Sequence, residues 1–143
     1  MLSKTLFSRK SDEWSTPQDF FDFLDDFYHF TLDPCATADN AKCSKFFTKT
    51  ENGLLQDWTD EVVFCNPPYS AVCDWIKKSL LEAEHHNSRV VCLVPARVDT
   101  RWFHDFVYHN PICKFTFVRG RLKFGNSKTS APFPSMIIDF KKV

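Results

Sequence analysis

Four consecutive residues, Asn66-Pro67-Pro68-Tyr69, carry the most distinctive chemistry of this chain. Proline lacks a backbone N–H and fixes φ, so the pair stops any strand or helix and stiffens the next few residues. The side-chain oxygen of Asn66 and the carbonyl of Pro67 can each accept a hydrogen bond from one exocyclic NH2 group. Holding both protons draws that nitrogen out of conjugation with its ring and directs its lone pair at an electrophile. Tyr69 adds a π face on which a base can stack, a contact of ~1–3 kcal/mol. No general base is required, because the amine can lose its proton after alkylation. The plainer use of the same residues is a strand-ending turn with a buried tyrosine.

The surrounding elements say where this tetrad must sit. Val62–Cys65 reads as a short apolar strand ending at Asn66, and Arg89–Pro95 as a strand covered on both faces. Phe30–Asp33 and Ser44–Thr48 are two further short strands, with a turn at Asn52-Gly53. Cys113–Phe124 and Ser135–Lys142 make two more, joined by a polar loop closed by Pro132-Phe133-Pro134. Thr16 is the expected N-cap of a first helix, with Pro17 in its first turn and Asp19 closing a capping box. Phe20, Phe21, Leu24, Phe27 and Tyr28 then repeat at helical spacing. Ala71–His86 is a second helix with Val72, Trp75, Ile76, Ser79, Leu80 and Ala83 on one side. A short third helix, capped by Asp99 or Thr100, runs through Trp102, Phe103, Phe106 and Val107. Strands alternating with helices predict an α/β layered fold with a mainly parallel sheet.

In such sheets ligands bind beyond the carboxyl ends of the strands. Three predicted strands end there in unusual residues: Asp33-Pro34-Cys35-Ala36, Asn66-Pro67-Pro68-Tyr69 and Pro95-Ala96-Arg97. An acid at the first tip suits a polar or cationic small molecule. The chain has three glycines, Gly53, Gly120 and Gly125, and no G-x-G-x-x-G or P-loop. Dinucleotide and triphosphate cradles are therefore not expected, since backbone amides cannot crowd a phosphate without glycine.

Composition bounds the rest. The 143 residues, 43% hydrophobic, suffice for one domain with a full core. No apolar run approaches the ~20 residues that span a bilayer, and no secretory h-region is present. Six cysteines then imply reduced thiols in a cytosol rather than disulfides. Neither Cys35/Cys43 nor Cys65/Cys73 has structural-zinc spacing, so no metal is expected. His85 and His86 suit the C-terminal end of a helix dipole, and His104 and His109 are read as surface residues. The net charge is zero, yet Ser11–Asn40 holds eight acids without a Lys or Arg, while Pro111–Val143 holds seven basic residues and one acid. Arg119, Arg121 and Lys123 fall at period two, so one side of a strand would present a row of cations to a polyanion, with Arg97 nearer the cleft. A half-exposed edge strand would show the same alternation.

The ordered set of "DEWSTP" (12–17), "TLDPCA" (31–36), "NGLLQDW" (52–58), "FCNPPYS" (64–70), "WIKK" (75–78), "GRLKFG" (120–125) and "APFPS" (131–135) resembles the small Dam-type DNA N6-adenine methyltransferases of phages and prophages. The likeness covers residues 12–140. It implies a Rossmann-like methyltransferase three-layer sandwich with a mainly parallel sheet, reduced in size. Residues 1–11 would be an N-terminal tail, and 12–143 a single methyltransferase domain without a separate target-recognition domain. It implies S-adenosylmethionine as cofactor and DNA as partner, in a monomer or homodimer in the cytoplasm of a bacterial host. Asn66, Pro67, Pro68 and Tyr69 would hold and stack the target adenine. Asp33, Pro34, Cys35 and Ala36 occupy the place of the family's first cofactor motif. Thr16 and Pro17 would contact the methionine end of the cofactor, and Asp57 its adenine or ribose with Leu54 nearby. The glycine-rich F-x-G-x-G loop of the broader methyltransferases is absent, and no clear acid ends the second strand.

Two rival readings share these residues. One places the tetrad on another planar nitrogen: cytosine N4, an RNA adenine or a protein glutamine. The other is a non-catalytic nucleic-acid or cofactor-binding protein, indifferent to Asn66→Ala and without methyl transfer.

Overall fold

The tertiary structure, a computed structural model, describes residues 15–125 and 130–142. The expected tail, 1–11, and the segment "DEW" lie outside the described residues. The chain runs α1 (Gln18–Tyr28), β1 (Leu32–Asp33), β2 (Lys45–Phe46), β3 (Val62–Cys65), α2 (Val72–His85), β4 (Arg89–Pro95), β5 (Cys113–Phe117) and β6 (Ser135–Phe140). Single 3-10 turns occur at Gly53–Leu55 and Tyr69–Ala71, and a π-helical turn at Phe103–Val107. One six-stranded sheet has the order β2-β1-β3-β4-β6-β5. The pairs β1–β2, β1–β3 and β3–β4 are parallel, and β6 is antiparallel to both β4 and β5. The predicted mainly parallel α/β sheet is therefore present, with β6 as its one reversed strand.

Strand alternation sends side chains to two cores. Val90, Cys92 and Val94 of β4 join Met136, Ile138 and Phe140 of β6 under the apolar stripe of α2. Val91 and Leu93 face the other way with Phe64 and Ile137, against Phe21 and Leu24 of α1, Phe124 and Ala131. The central strands are thus covered on both faces, which is why they read as unbroken apolar runs.

Several expected elements are shorter or differently capped. Pro17, not Thr16, is the N-cap residue of α1, and it offers no side-chain cap. The hydroxyl of Thr16 is engaged instead with Asn66 at the end of β3. Of the α1 stripe, Phe21 and Leu24 are buried, whereas Phe27 is 71% exposed. The Arg89 guanidinium lies 4.7 Å from the Tyr28 ring centroid and also forms a two-bond ion pair with Asp139. Thr100 does not cap the third helix; its Oγ1 donates to the Arg97 carbonyl at 2.7 Å. The largest correction concerns β5, which ends at Phe117 rather than Phe124. Val118 N still donates to Ser135 O at 2.9 Å. Gly120 then adopts φ +73, a left-handed conformation that breaks the ladder. The period-two row of Arg119, Arg121 and Lys123 consequently does not exist, although all three are exposed.

All six cysteines are free thiols. Burial pushes Cys43 and Cys113 up to about 12, so both stay protonated at neutral pH. Among the described residues no helix is long and apolar enough to cross a membrane.

The position of each strand sets the expected cost of truncation. Ile138 in β6 is fully buried between β4 and β5, so Ile138→Ala should cost about 2–5 kcal/mol in denaturant unfolding. Phe117 on the outer strand is 56% exposed, and Phe117→Ala should cost less than about 1 kcal/mol.

Candidate active site

Because β1, β2, β3 and β4 are parallel, their carboxyl ends share one edge of the sheet. A cavity of about 330 Å³ opens there, within the size range of small-molecule sites. Its wall includes Thr16, Asp33, Pro34, Cys35, Ala36, Leu54, Asn66 and Pro68. Those eight sequence-predicted residues are drawn from four separate segments, and the fold brings them together.

Asp33 ends β1 and is 4% exposed. Its Oδ2 accepts from Lys42 N at 3.0 Å and its Oδ1 from Cys35 N at 3.4 Å, which curls the chain after β1 around the carboxylate. Burial outweighs these two hydrogen bonds and raises its pKa to about 6. The carboxyl group is therefore poised to ionise near neutral pH and to favour a cationic ligand.

Asn66 extends from β3 on the same face as Phe64. Its Nδ2 donates to Thr16 Oγ1 at 3.0 Å across fifty positions of sequence. Thr16, 4% exposed, lies one residue before the N-cap position of α1, with its hydroxyl turned to this amide. That bond fixes the amide, so that Oδ1, itself buried, is the acceptor atom of the side chain. Pro67 is buried behind the cavity wall, and Tyr69 begins the 3-10 turn that leads into α2. The Tyr69 ring meets Phe133 edge-on, centroids 5.0 Å apart and planes at 88°. Burial raises the Tyr69 pKa, and the charge of Arg97 offsets this only in part. The neutral phenol is an apolar stacking face rather than a base.

The Asn52-Gly53 turn forms the opposite wall. Asn52 takes φ 57 and its side chain accepts from Leu54 N at 3.2 Å. A Cβ on Gly53 would lie 2.1 Å from the Pro34 carbonyl oxygen and 3.1 Å from Trp75. The Gly53 carbonyl accepts from Trp58 Nε1 at 3.0 Å, and the Trp58 and Trp75 rings stack at 6.2 Å. Gly53 thus lets two cavity segments touch backbone to backbone. Sequence inspection reads only a turn there, since nothing local announces the contact with Pro34. Asn40, Lys42 and Lys49, which the sequence alone does not single out, also line the cavity, as does Trp75, read from sequence as part of the apolar stripe of the second helix. Asn40 is tied into the loop after β1: its side chain accepts from Thr37 N and donates to Ser15 Oγ.

Other predicted residues lie apart from the cavity. Asp57 is exposed and accepts from the Thr59 N–H and hydroxyl, which hold its carboxyl below the usual range. Its neighbours are Glu82 and His86, where the buried Glu82 carboxylate already pairs with Lys78 Nζ and His86 Nδ1, each at 2.7 Å. Pro17, Arg121 and Lys123 line a second, shallow groove with Asp19, Phe20 and Leu122. Arg119 is exposed beyond the end of β5.

The donor set suits S-adenosylmethionine. Asp33 can face its cationic groups, Lys42 and Lys49 its carboxylate, and Leu54, Pro34 and Trp75 give apolar walls for a purine.

Replacing Gly53 by Ala should separate the two walls, since neither the Pro34 nor the Gly53 backbone can yield without moving the cavity. Calorimetry should record at least a tenfold loss of S-adenosylmethionine affinity, and unchanged affinity would contradict this packing.

Comparison with known proteins gives the family. Residues 3–137 match the family model described as DNA N-6-adenine-methyltransferase (Dam). A DNA N-6-adenine-methyltransferase of Haemophilus phage HP1 is 31% identical over 126 residues, covering 85% of this chain and 72% of that protein. Another, of Escherichia phage T1, is 36% identical over 94 residues, 64% of this chain and 39% of that protein. The chain belongs to the Dam family of DNA N6-adenine methyltransferases.

Proposed function

We propose that this chain, an adenine-specific DNA methyltransferase, binds S-adenosylmethionine in the carboxyl-edge cavity and methylates N6 of an adenine held by Asn66 and Pro67. The observation that carries this reading is the Asn66 amide, oriented by Thr16, on the wall of the cavity that also holds Asp33. The mostly parallel sheet covered on both faces supports a Rossmann-like methyltransferase three-layer sandwich, reduced in size and contained in a single domain.

Bound S-adenosylmethionine supplies an electrophilic methyl group on a cationic sulfonium. The chain's residues supply the rest. Asn66 Oδ1 and the Pro67 carbonyl accept hydrogen bonds from the N6 amino group and localise its lone pair, and the amino group sheds one proton after it is alkylated. Asp33, Pro34, Cys35, Ala36 and Leu54 form the cofactor side of the cavity, with Thr16 beside them. Asp57 and Pro17 do not line this cavity and are not assigned to it. Stacking on Tyr69 stabilises a base extruded from the duplex. The exposed Arg97, Arg119, Arg121 and Lys123 give phosphate contacts to the DNA backbone. Much of the rate comes from holding amine and methyl in contact and in line.

Methyl transfer from labelled S-adenosylmethionine to unmethylated DNA, followed by nucleoside analysis, tests the reading. Wild type should yield N6-methyladenine and Asn66→Ala at least about a hundredfold less, with cofactor binding retained. N4-methylcytosine instead, or product unaffected by Asn66→Ala, would sink the assignment.

The Asp33 carboxyl gives the pH dependence. It ionises near 6 in the folded protein but at about 3.9 when unfolded. The folded state therefore binds the extra proton between these values, so its contribution to stability declines as pH rises from about 4 to about 6 and is level above. Affinity for the cationic cofactor should run the opposite way, rising as pH passes through about 6. Calorimetric titration from pH 5 to 8 should show this rise in wild type and a flat profile in Asp33→Asn.

A further inference from the structure

We propose that Phe133 is a positioning residue of the methylation site, which acts through Tyr69 by setting the plane on which the target base stacks. This inference rests on the proposed role of Tyr69 as the residue that receives the base. A stacking platform is useful only if its plane is fixed, because a base turned with it carries N6 away from Asn66 and Pro67. Tyr69 belongs to a single 3-10 turn, and its phenol is only partly buried. The Phe133 contact constrains the ring directly. At 88° and 5.0 Å the two rings are edge-to-face, the orientation that the aromatic quadrupole favours.

Phe133 is itself held more firmly than a loop residue usually is. It stands between Pro132 and Pro134, whose φ angles are fixed by their rings. The Pro134 carbonyl accepts from Ala96 N at 2.9 Å, and the Ser135 carbonyl from Val118 N at 2.9 Å. Ser135 pairs in register with Pro95, so the segment is anchored to the carboxyl edge of β4, beside β3, which Asn66 directly follows. Phe124 braces the Phe133 ring from a third direction, centroids 5.9 Å apart. The segment therefore links the β4–β6 edge to the aromatic platform, in a part of the chain distant in sequence from the tetrad.

The test is a double-mutant cycle on single-turnover methyl transfer, with Phe133→Ala, Tyr69→Ala and the double variant, and Phe133→Tyr as the conservative control. Phe133→Ala should slow methyl transfer by roughly five- to twentyfold while S-adenosylmethionine affinity stays within about twofold. Fluorescence of 2-aminopurine at the target position should fall in the same variant, and Phe133→Tyr should restore rate and fluorescence. In the Tyr69→Ala background, adding Phe133→Ala should cost nothing further, since its route is already lost. Additive losses, or loss of cofactor affinity together with rate, would make Phe133 a general packing residue and overturn the inference. If the wild type forms no N6-methyladenine, the proposed function falls and this inference with it. Additivity in an active enzyme overturns this inference alone.

Discussion

The backbone of Gly53 lies against the carbonyl of Pro34 so closely that no side chain can stand between them. One wall of the cavity follows β1 and the other precedes β3, and this contact holds the two at a fixed separation. The arrangement is locked from behind by the Trp58 indole on the Gly53 carbonyl and by the stacked Trp75 of α2. A helix that packs on the sheet core thereby also sets the width of the cavity. The single glycine takes a task that glycine-rich loops perform elsewhere: close approach of backbone where a Cβ would intrude.

On the other side of the cavity, one hydrogen bond joins the segment before α1 to the end of β3. Thr16 could have capped its own helix, as its sequence context invites, but its hydroxyl accepts from the Asn66 amide instead. Pro17 takes the N-cap position, so the first turn of α1 lacks a side-chain cap. A local opportunity for about 1 kcal/mol of helix stability is forgone for the orientation of one amide. Conflicts between a local rule and the observed partner concentrate at functional sites, and this one falls at the amide proposed to hold the target adenine.

Much of this is legible in the sequence. Val62–Cys65 and Arg89–Pro95 have the bounds that apolar runs predict, and the second helix differs from its expected span by a residue at each end. The tetrad and the Asp33 segment stand out because their residue types are unusual at strand ends. The features that sequence hides depend on partners far along the chain or on a claim made by a neighbour. Gly53 is a turn residue until Pro34 is beside it, and Asp57 suggests a ligand until Thr59 claims its carboxylate. The alternation from Cys113 onward continues past Phe117 in sequence, yet Gly120 turns the chain out of the sheet and dissolves the row of cations. Periodicity reports which faces a strand would have, not where it stops.

The central claim is that one cavity at the carboxyl edge holds the cofactor next to Asn66. Amide chemical shifts of isotopically labelled protein, titrated with S-adenosylhomocysteine, address it most directly. The account predicts the largest perturbations at Asp33–Thr37, Asn52–Leu54 and Asn66. Perturbations centred on Asp57, Glu82 and His86, or on the groove of Arg121 and Lys123, would contradict it.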